Sequence, residues 1–438
     1  MEQTDYADLT AFAMGTPDRG FLNQILGALR AISELTGLPE DAGHCFLLPE
    51  GVEDVSLLKE SIFYSQFKNY PEFRKQIFTM MDSYMSEAGE RIPRIFITAY
   101  NLTESLNAGK NTDMLCRAVK EYYAEHNLGF VLTTVLTSRL HKYKYVDLIN
   151  VPKHLLTFTS RIRLLQNKKL RKKVLITVGT INNFNRRTVK EKQKELLTIL
   201  KKLKTDKDLQ SAVKKLETFQ KAGKKVVFCL GGRVEGPEIG FDINYAKKLY
   251  AAADKLARVG YGVVFVNGPR TPNDVTDFLY EKSLSNPQIV FQNCKKIAVD
   301  DSERTPKSWR IYSGKHEDEF RRLQKIGNIY PGIIGFENTL VVHSADTYAS
   351  CETANAALPT AISKGLFIDP DVRPDCLNLF ELLCPKYAID FDEFVYYAVH
   401  MKIEPRDLRP QVLSSPLRVF AETAVNRLNQ LERKEYRV

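Results

Sequence analysis

The sequence predicts an α/β protein built on parallel sheets, and three observations predict it. Short apolar runs rich in β-branched residues alternate with amphipathic stretches of helical spacing. That alternation builds parallel sheets, because each crossover to the next strand needs a helix. The pattern then restarts near Val226, after a highly charged stretch, so the chain reads as two such halves. At 438 residues it exceeds one ordinary core and fits two or three domains.

In the first half, Leu9–Met14 reads as a strand, followed by a Gly/Pro/Asp turn over Gly15–Gly20 and a helix from Leu22 to Leu35. His44–Leu48 and Arg94–Thr98 read as strands, with Tyr70–Ser86 helical between them. Met114–Glu125 is a helix, and Gly129–Thr134, Val146–Val151 and Lys173–Val178 are strands. Arg186–Gln220 is charged, with Leu196, Leu197, Leu200 and Leu203 at helical spacing, and predicts one or two helices joining the halves. In the second half, the strands are Val226–Leu230, Gly262–Val266, Gln288–Phe291, Thr339–His343 and Leu358–Ile362. The helices are Asn244–Arg258, Asn273–Lys282, Tyr348–Ala356 and a long one over Pro416–Lys434. Polar and glycine-rich loops after the strands predict a ligand cleft between two Rossmann-like domains.

Composition excludes several classes. Hydrophobic residues make up 44% and aromatics 10%, enough to bury two cores, so global disorder is excluded. The longest apolar runs, such as Val263–Val266 and Thr339–Val342, are strand-sized. They fall well short of the roughly 18–20 residues that span a bilayer. Met1–Asp8 is acidic and leads into no apolar core, so no signal peptide is expected. Seven scattered cysteines without Cys-x-x-Cys argue for the reducing cytoplasm rather than a disulfide framework or structural zinc.

The net charge of +10 is unevenly placed: residues 153–225 carry +17 and the remainder −7. Such a segment is a solvated helix face or a docking surface for an anionic membrane or a phosphorylated ligand. Nucleic acid is the lesser expectation, because only Phe158, Phe184 and Phe219 are available for base stacking. The sharper reading is peripheral attachment to the inner face of an anionic membrane, lost when the lysines from 190 to 215 are neutralised.

No Walker-type phosphate loop, Gly-x-Gly-x-x-Gly, His-Glu-x-x-His or Gly-x-Ser-x-Gly occurs. Asp369-Pro370-Asp371 has a metal-binding form but reads as a turn, and no metal is expected. Five constellations remain. Gly231-Gly232-Arg233 ends a strand, where a double glycine admits close approach and Arg233 offers a guanidinium to phosphate. An ordinary β–α turn explains the glycines equally well. Gly268-Pro269-Arg270-Thr271-Pro272 puts Thr271 at a helix N-cap and Arg270 at the positive helix end. Gly327-Asn328-Ile329-Tyr330-Pro331-Gly332 is a turn, or a place where amides meet a phosphate or base. Ser344-Ala345-Asp346-Thr347 follows a buried strand, and Glu352 lies in the next helix. Its carboxylate suits the two hydroxyls of a ribose; the alternative is a first-turn acid favoured by the helix dipole. Asp18-Arg19-Gly20 with Asn23-Gln24 is a ligand-facing helix start or a simple cap with a polar face.

In order and spacing these pieces resemble the GT-B-like family named for the plant mitochondrial-fission "elongated mitochondria" protein, which has bacterial relatives. The resemblance rests on Gly20-x-x-Asn23-Gln24-x-x-Gly27-Ala28-Leu29, Val151-Pro152-x-His154, Val174–Asn182, Gly231-Gly232, Arg270-Thr271-Pro272, Asn328-x-Tyr330 and Val341-Val342 leading to Glu352. The family's strand-end aspartate falls at Ala345 here, with Asp346 one residue later.

The resemblance implies two Rossmann-like domains with a cleft between them and a C-terminal helix crossing back to the first. The implied spans are 1–182 for the N-terminal acceptor domain, 183–222 for a basic helical connection, 223–414 for the nucleotide-sugar domain and 415–438 for the returning helix. It implies a metal-independent glycosyltransferase moving a sugar from a nucleotide-diphosphate donor to a glycan or lipid-linked acceptor. The donor is then a substrate, and no cofactor is expected. Gly231, Gly232, Arg233, Arg270, Thr271, Ser344, Asp346 and Thr347 would hold the diphosphate. Glu352 would hold the ribose, and Asn328 and Tyr330 would line the nucleotide cleft. Asp18, and more weakly His154, would serve as the base that deprotonates the acceptor. Two alternatives stay open: a nucleotide-sugar 2-epimerase-like enzyme, and a non-catalytic interaction protein, which the displaced Asp346 favours.

Overall fold

The structure is a computed structural model. It describes residues 9–15, 19–39, 43–47, 70–88, 91–99, 108–137, 140, 143–231, 242–297, 311–344, 347–362, 374–409 and 416–435. The chain forms two compact units: Met1–Asn183 with Ser414–Val438, and Phe184–Leu413.

The first unit holds β1 (Ala11–Gly15), β2 (His44–Leu47), β3 (Ile95–Ala99), β4 (Leu132–Leu136), β5 (Leu148–Pro152) and β6 (Val174–Thr177) in the order β2-β1-β3-β4-β5-β6. Every pairing is parallel. Both faces are covered, which is why its strands are apolar at consecutive positions. Phe12, Met14 and Phe96 point one way, onto Phe73, Ile77, Tyr122 and Tyr123 of the helices Tyr70–Ala88 and Ala108–Glu125. Ala11, Ala13, Ile95 and Ile97 point the other way. They pack on Ile25, Leu29 and Ile32 of the Arg19–Thr36 helix and on Phe420, Ala424 and Leu428 of the Pro416–Glu435 helix. Arg94 Nη2 reaches Glu432 at 2.6 Å, and Arg427 donates to the Lys172 carbonyl. The last helix of the chain is therefore part of the first unit.

The second unit holds β7 (Lys224–Leu230), β8 (Tyr261–Asn267), β9 (Ile289–Gln292), β10 (Lys296–Ile297), β11 (Ile311–Tyr312), β12 (Thr339–Ser344), β13 (Thr360–Ile362) and β14 (Ile389–Asp390). Six of them form a second parallel sheet in the order β14-β13-β12-β7-β8-β9, and β10 pairs with β11 alone. The helices Arg186–Leu203 and Gln210–Lys221 pack on this unit through Val189, Leu196, Leu200, Val213, Leu216 and Phe219. Two Rossmann-like units, with the final helix laid on the first, give the chain path of the GT-B class.

Several element bounds differ from the sequence reading. β4 starts at Leu132 rather than Gly129, because Asn127 and Gly129 both take positive φ (53° and 78°) in leaving the preceding helix. β13 starts at Thr360 rather than Leu358, after Ala357 at φ 51°. The basic stretch before β6 contains two unpredicted helices, Phe158–Gln166 and Lys168–Lys173. Their caps were readable: Thr157 accepts from Ser160 N, and Asn167 accepts from Leu170 N. Among the described residues, no helix is long and apolar enough to cross a membrane.

Gly27 has a packing reason. A Cβ there would lie 2.4 Å from the Asn182 carbonyl carbon. Asn183 N donates to Asn23 Oδ1 at 3.3 Å and Arg30 Nη1 donates to Asn183 Oδ1 at 3.2 Å, fixing the same contact. Gly27→Ala is expected to cost about 1–3 kcal/mol in urea unfolding. Gly223→Ala, where nothing lies within 4 Å of the added carbon, should leave the midpoint unchanged.

Candidate functional site

In an open parallel sheet, ligands bind outside the carboxyl ends of the strands where the strand order reverses. In the second unit that point lies between β7 and β12, which flank each other although β8 follows β7 in the chain. In the register, Leu230 is paired with Ser344 on one side and Asn267 on the other, so three strand ends lie level.

The strands are apolar until these ends, where buried polar groups take over. Gly231 N donates to Ser344 O at 2.6 Å, extending the ladder past the strand. Thr271, fully buried, donates through Oγ1 to Gly231 O at 2.8 Å and accepts from Gly268 N at 3.0 Å. Tyr245 Oη donates to Ser344 Oγ at 2.7 Å. Asn267 Nδ2 donates to Asn293 Oδ1 at 2.7 Å, and Cys294 N donates to Asn267 Oδ1 at 2.6 Å. Cys294 Sγ donates to Asn328 Oδ1 at 3.5 Å, which also accepts from Tyr330 N at 3.1 Å.

Thr271 therefore does not cap the following helix. Pro272 takes the N-cap position, no side chain caps it, and the helix runs Asn273–Leu284. The hydroxyl instead ties the β8 loop to the end of β7. Lys295 secures the same loop from below, its Nζ donating to Thr271 O at 2.9 Å and Asn273 Oδ1 at 2.7 Å. Lys295 is 2% exposed. Burial pushes its pKa down to about 8, against the opposing pull of Asp277 and Asp274. Beneath Ser344, His343 Nε2 lies 2.8 Å from Thr353 Oγ1, and burial drives its pKa to about 3, so the ring is neutral.

Gly231, Thr271 and Ser344 thus meet directly. Arg270 is half-buried in the same loop, and exposed Asn328 with half-buried Tyr330 joins through Cys294 and Asn267. The glycines around Asn328 have structural causes: Gly327 turns at φ 76°, and a Cβ on Gly332 would lie 2.6 Å from the Lys192 carbonyl oxygen. Glu352 is half-buried in the helix Thr347–Asn355, past the first turn, so a first-turn dipole contact does not account for it. Thr347 opens that helix. Gly232, Arg233, Asp346 and Asp18 lie outside the described residues, as do 369–371. His154 lies in the first unit, in the turn Lys153–Leu155 after β5, and is 1% exposed. Among the described residues, no three His, Cys, Asp or Glu side chains converge on a metal position.

Sequence reading missed Tyr245, Asn293, Cys294 and Lys295. The last three follow the β9 strand, and the rule applied after β7, β8 and β12 would have found them there.

No family model and no curated protein matches the chain. Solved structures similar to it along nearly its whole length include the MnaA–UDP complex of S. aureus, with 10% identity, TM-score 0.41 and 96% of each chain covered. Acinetobacter baumannii MurG has 8% identity and TM-score 0.38, over 98% of this chain and 100% of that one. A trehalose 6-phosphate synthase from Burkholderia multivorans has 10% identity and TM-score 0.44, with the same coverage.

Thr271→Val removes one donor to Gly231 O and one acceptor for Gly268 N in a buried site, and should cost about 1–3 kcal/mol in urea unfolding. Lys295 binds its proton less tightly in the folded chain than in the unfolded one. Its contribution to stability is therefore absent below pH about 8 and rises up to the unfolded pKa. Wild-type stability should gain up to about 3 kcal/mol over Lys295→Met across that window. Parallel pH profiles of the two would refute this assignment.

Proposed function

We propose that the second unit binds a nucleotide-diphosphate sugar and that the chain is a glycosyltransferase. The observation that supports it is the junction of Gly231, Thr271 and Ser344 at the strand-order reversal, with Arg270 in the same loop. Gly231, buried just past the end of β7, holds the strand ends together, and the Asn273–Leu284 helix begins beside Arg270 without a side-chain cap. Helix amides and a guanidinium together suit a diphosphate. Asp274 brings a carboxylate into that first turn, where it acts on the buried ammonium of Lys295. Glu352 would accept from the ribose hydroxyls, and Asn328 and Tyr330 would border the base.

In the reaction, the acceptor hydroxyl oxygen bonds to the anomeric carbon as the bond from that carbon to the diphosphate oxygen breaks. The acceptor proton passes to a base, and the diphosphate leaves with the bond electrons. Arg270 and the helix amides stabilise that leaving charge. Asp18 is the first candidate base. His154, enclosed at 1% exposure, is the second and needs an opening of its turn to reach a substrate. The acceptor would be a glycan or lipid-linked sugar. Peripheral attachment to a membrane would bring a lipid-linked acceptor within reach.

A non-catalytic reading is favoured by Ala345 standing where the resembled family carries an aspartate. Titration calorimetry with uridine, guanosine and cytidine diphosphates separates the two. One of them should bind in the micromolar range, and Arg270→Ala should weaken it at least tenfold, as expected for a lost charged hydrogen bond. Failure of all three below the millimolar range would leave the non-catalytic reading standing.

A further inference from the structure

Phe158 and Leu165 are the most exposed large hydrophobic side chains among the described residues, at 76% and 73%. They lie seven residues apart on the helix Phe158–Gln166, two turns on one face, with exposed Arg161 between them. The opposite face is anchored: Leu164 is buried in the first unit's core, and Arg163 Nη1 donates to Leu140 O at 2.9 Å. The next helix, Lys168–Lys173, repeats the arrangement. Leu170 is buried, and Lys173 Nζ donates to the Lys144 and Val146 carbonyls at 3.2 and 2.7 Å. Lys168, Lys169, Arg171 and Lys172 are exposed. No acidic residue occurs between Asp147 and Glu191.

The basic helices of the second unit differ. Arg187 pairs with Glu191 at 3.0 Å, Lys192 with Glu195 at 2.8 Å, and Lys204 with Glu217 at 3.1 Å. Their charge is partly neutralised by acidic residues of the same helix pair, whereas 158–172 contains no acidic residue and its charge surrounds two apolar anchors.

We propose that this helix pair docks the first unit on an anionic lipid surface. Phe158 and Leu165 enter the boundary between headgroups and acyl chains, and Arg161, Lys168, Lys169, Arg171 and Lys172 meet the anionic headgroups. Only a surface that is both anionic and apolar satisfies the two features together. An aliphatic Leu165 offers no stacking face to a nucleic acid base. The proposal deepens the membrane-attachment part of the proposed function and rests on that part alone. It moves the attachment from the lysines of 190–215 to residues 158–172.

The test is sedimentation of the full chain with phosphatidylcholine vesicles, with and without phosphatidylglycerol. Binding should require phosphatidylglycerol and weaken with salt. Phe158→Ser/Leu165→Ser should lower it at least tenfold at an unchanged melting temperature. Lys168→Gln/Lys169→Gln should lower it as well, while Lys190→Gln/Lys194→Gln should leave it near the wild-type level. Calorimetry with the nucleoside diphosphate on the same apolar double variant should match wild type, so a failure of donor binding and a failure of docking are read separately. Three results would each overturn the proposal. One is no binding to the anionic vesicles, or binding indifferent to the apolar double variant. Another is self-association that this variant abolishes, which assigns the face to a second copy of the chain. The third is duplex DNA binding of vesicle-like strength that survives the variant.

Discussion

Gly231 N donates to Ser344 O, and Thr271 Oγ1 donates to Gly231 O. These two bonds settle where three loops of the second unit leave the sheet. Peptide groups at a strand's carboxyl end have no further ladder partner, and burying them unpaired is costly. Here the β12 end, the β8 loop and the β7 end satisfy one another. Once they do, Arg270 has a fixed root and the Asn273–Leu284 helix a fixed origin. Lys295 extends the same economy to β9, reaching up to the Thr271 carbonyl from a site that excludes water. The strand ends are thus polar and buried together.

The first unit is organised by close approach instead. Gly27 lets the Arg19–Thr36 helix touch the backbone at Asn182, and Asn23 and Arg30 hold Asn183 from the same helix. The motif that supplied part of the family resemblance therefore has a packing role at Asn23 and Gly27. The Pro416–Glu435 helix completes the face, so the chain's end closes a core that its beginning opened.

The charge asymmetry takes on a different meaning in three dimensions. Counted along the chain, residues 153–225 form one basic block. In the fold the block divides between the two units, and only the part in the first unit combines exposed cations with exposed Phe158 and Leu165. Its two short helices escaped the sequence reading because six and nine residues give too few turns for periodicity to register, although Thr157 and Asn167 marked both starts.

The sequence by itself determined most of the long strands and helices and the two α/β halves. These follow from the spacing of apolar residues, which is a local property of the chain. Ala11 and Ala13 against Phe12 and Met14 already separate the two faces of β1. Only the tertiary structure decided what the polar residues do. Thr271 reads locally as a cap and serves as a tie between strands. Tyr245 reads as one apolar position of a helix, yet its hydroxyl meets Ser344, 99 residues away. Lys295 reads as one cation among 63 lysines and arginines, and burial lowers its pKa to about 8. Hydrogen-bond partners and desolvation are set by the register of strands far apart in the chain, and no local pattern carries that information.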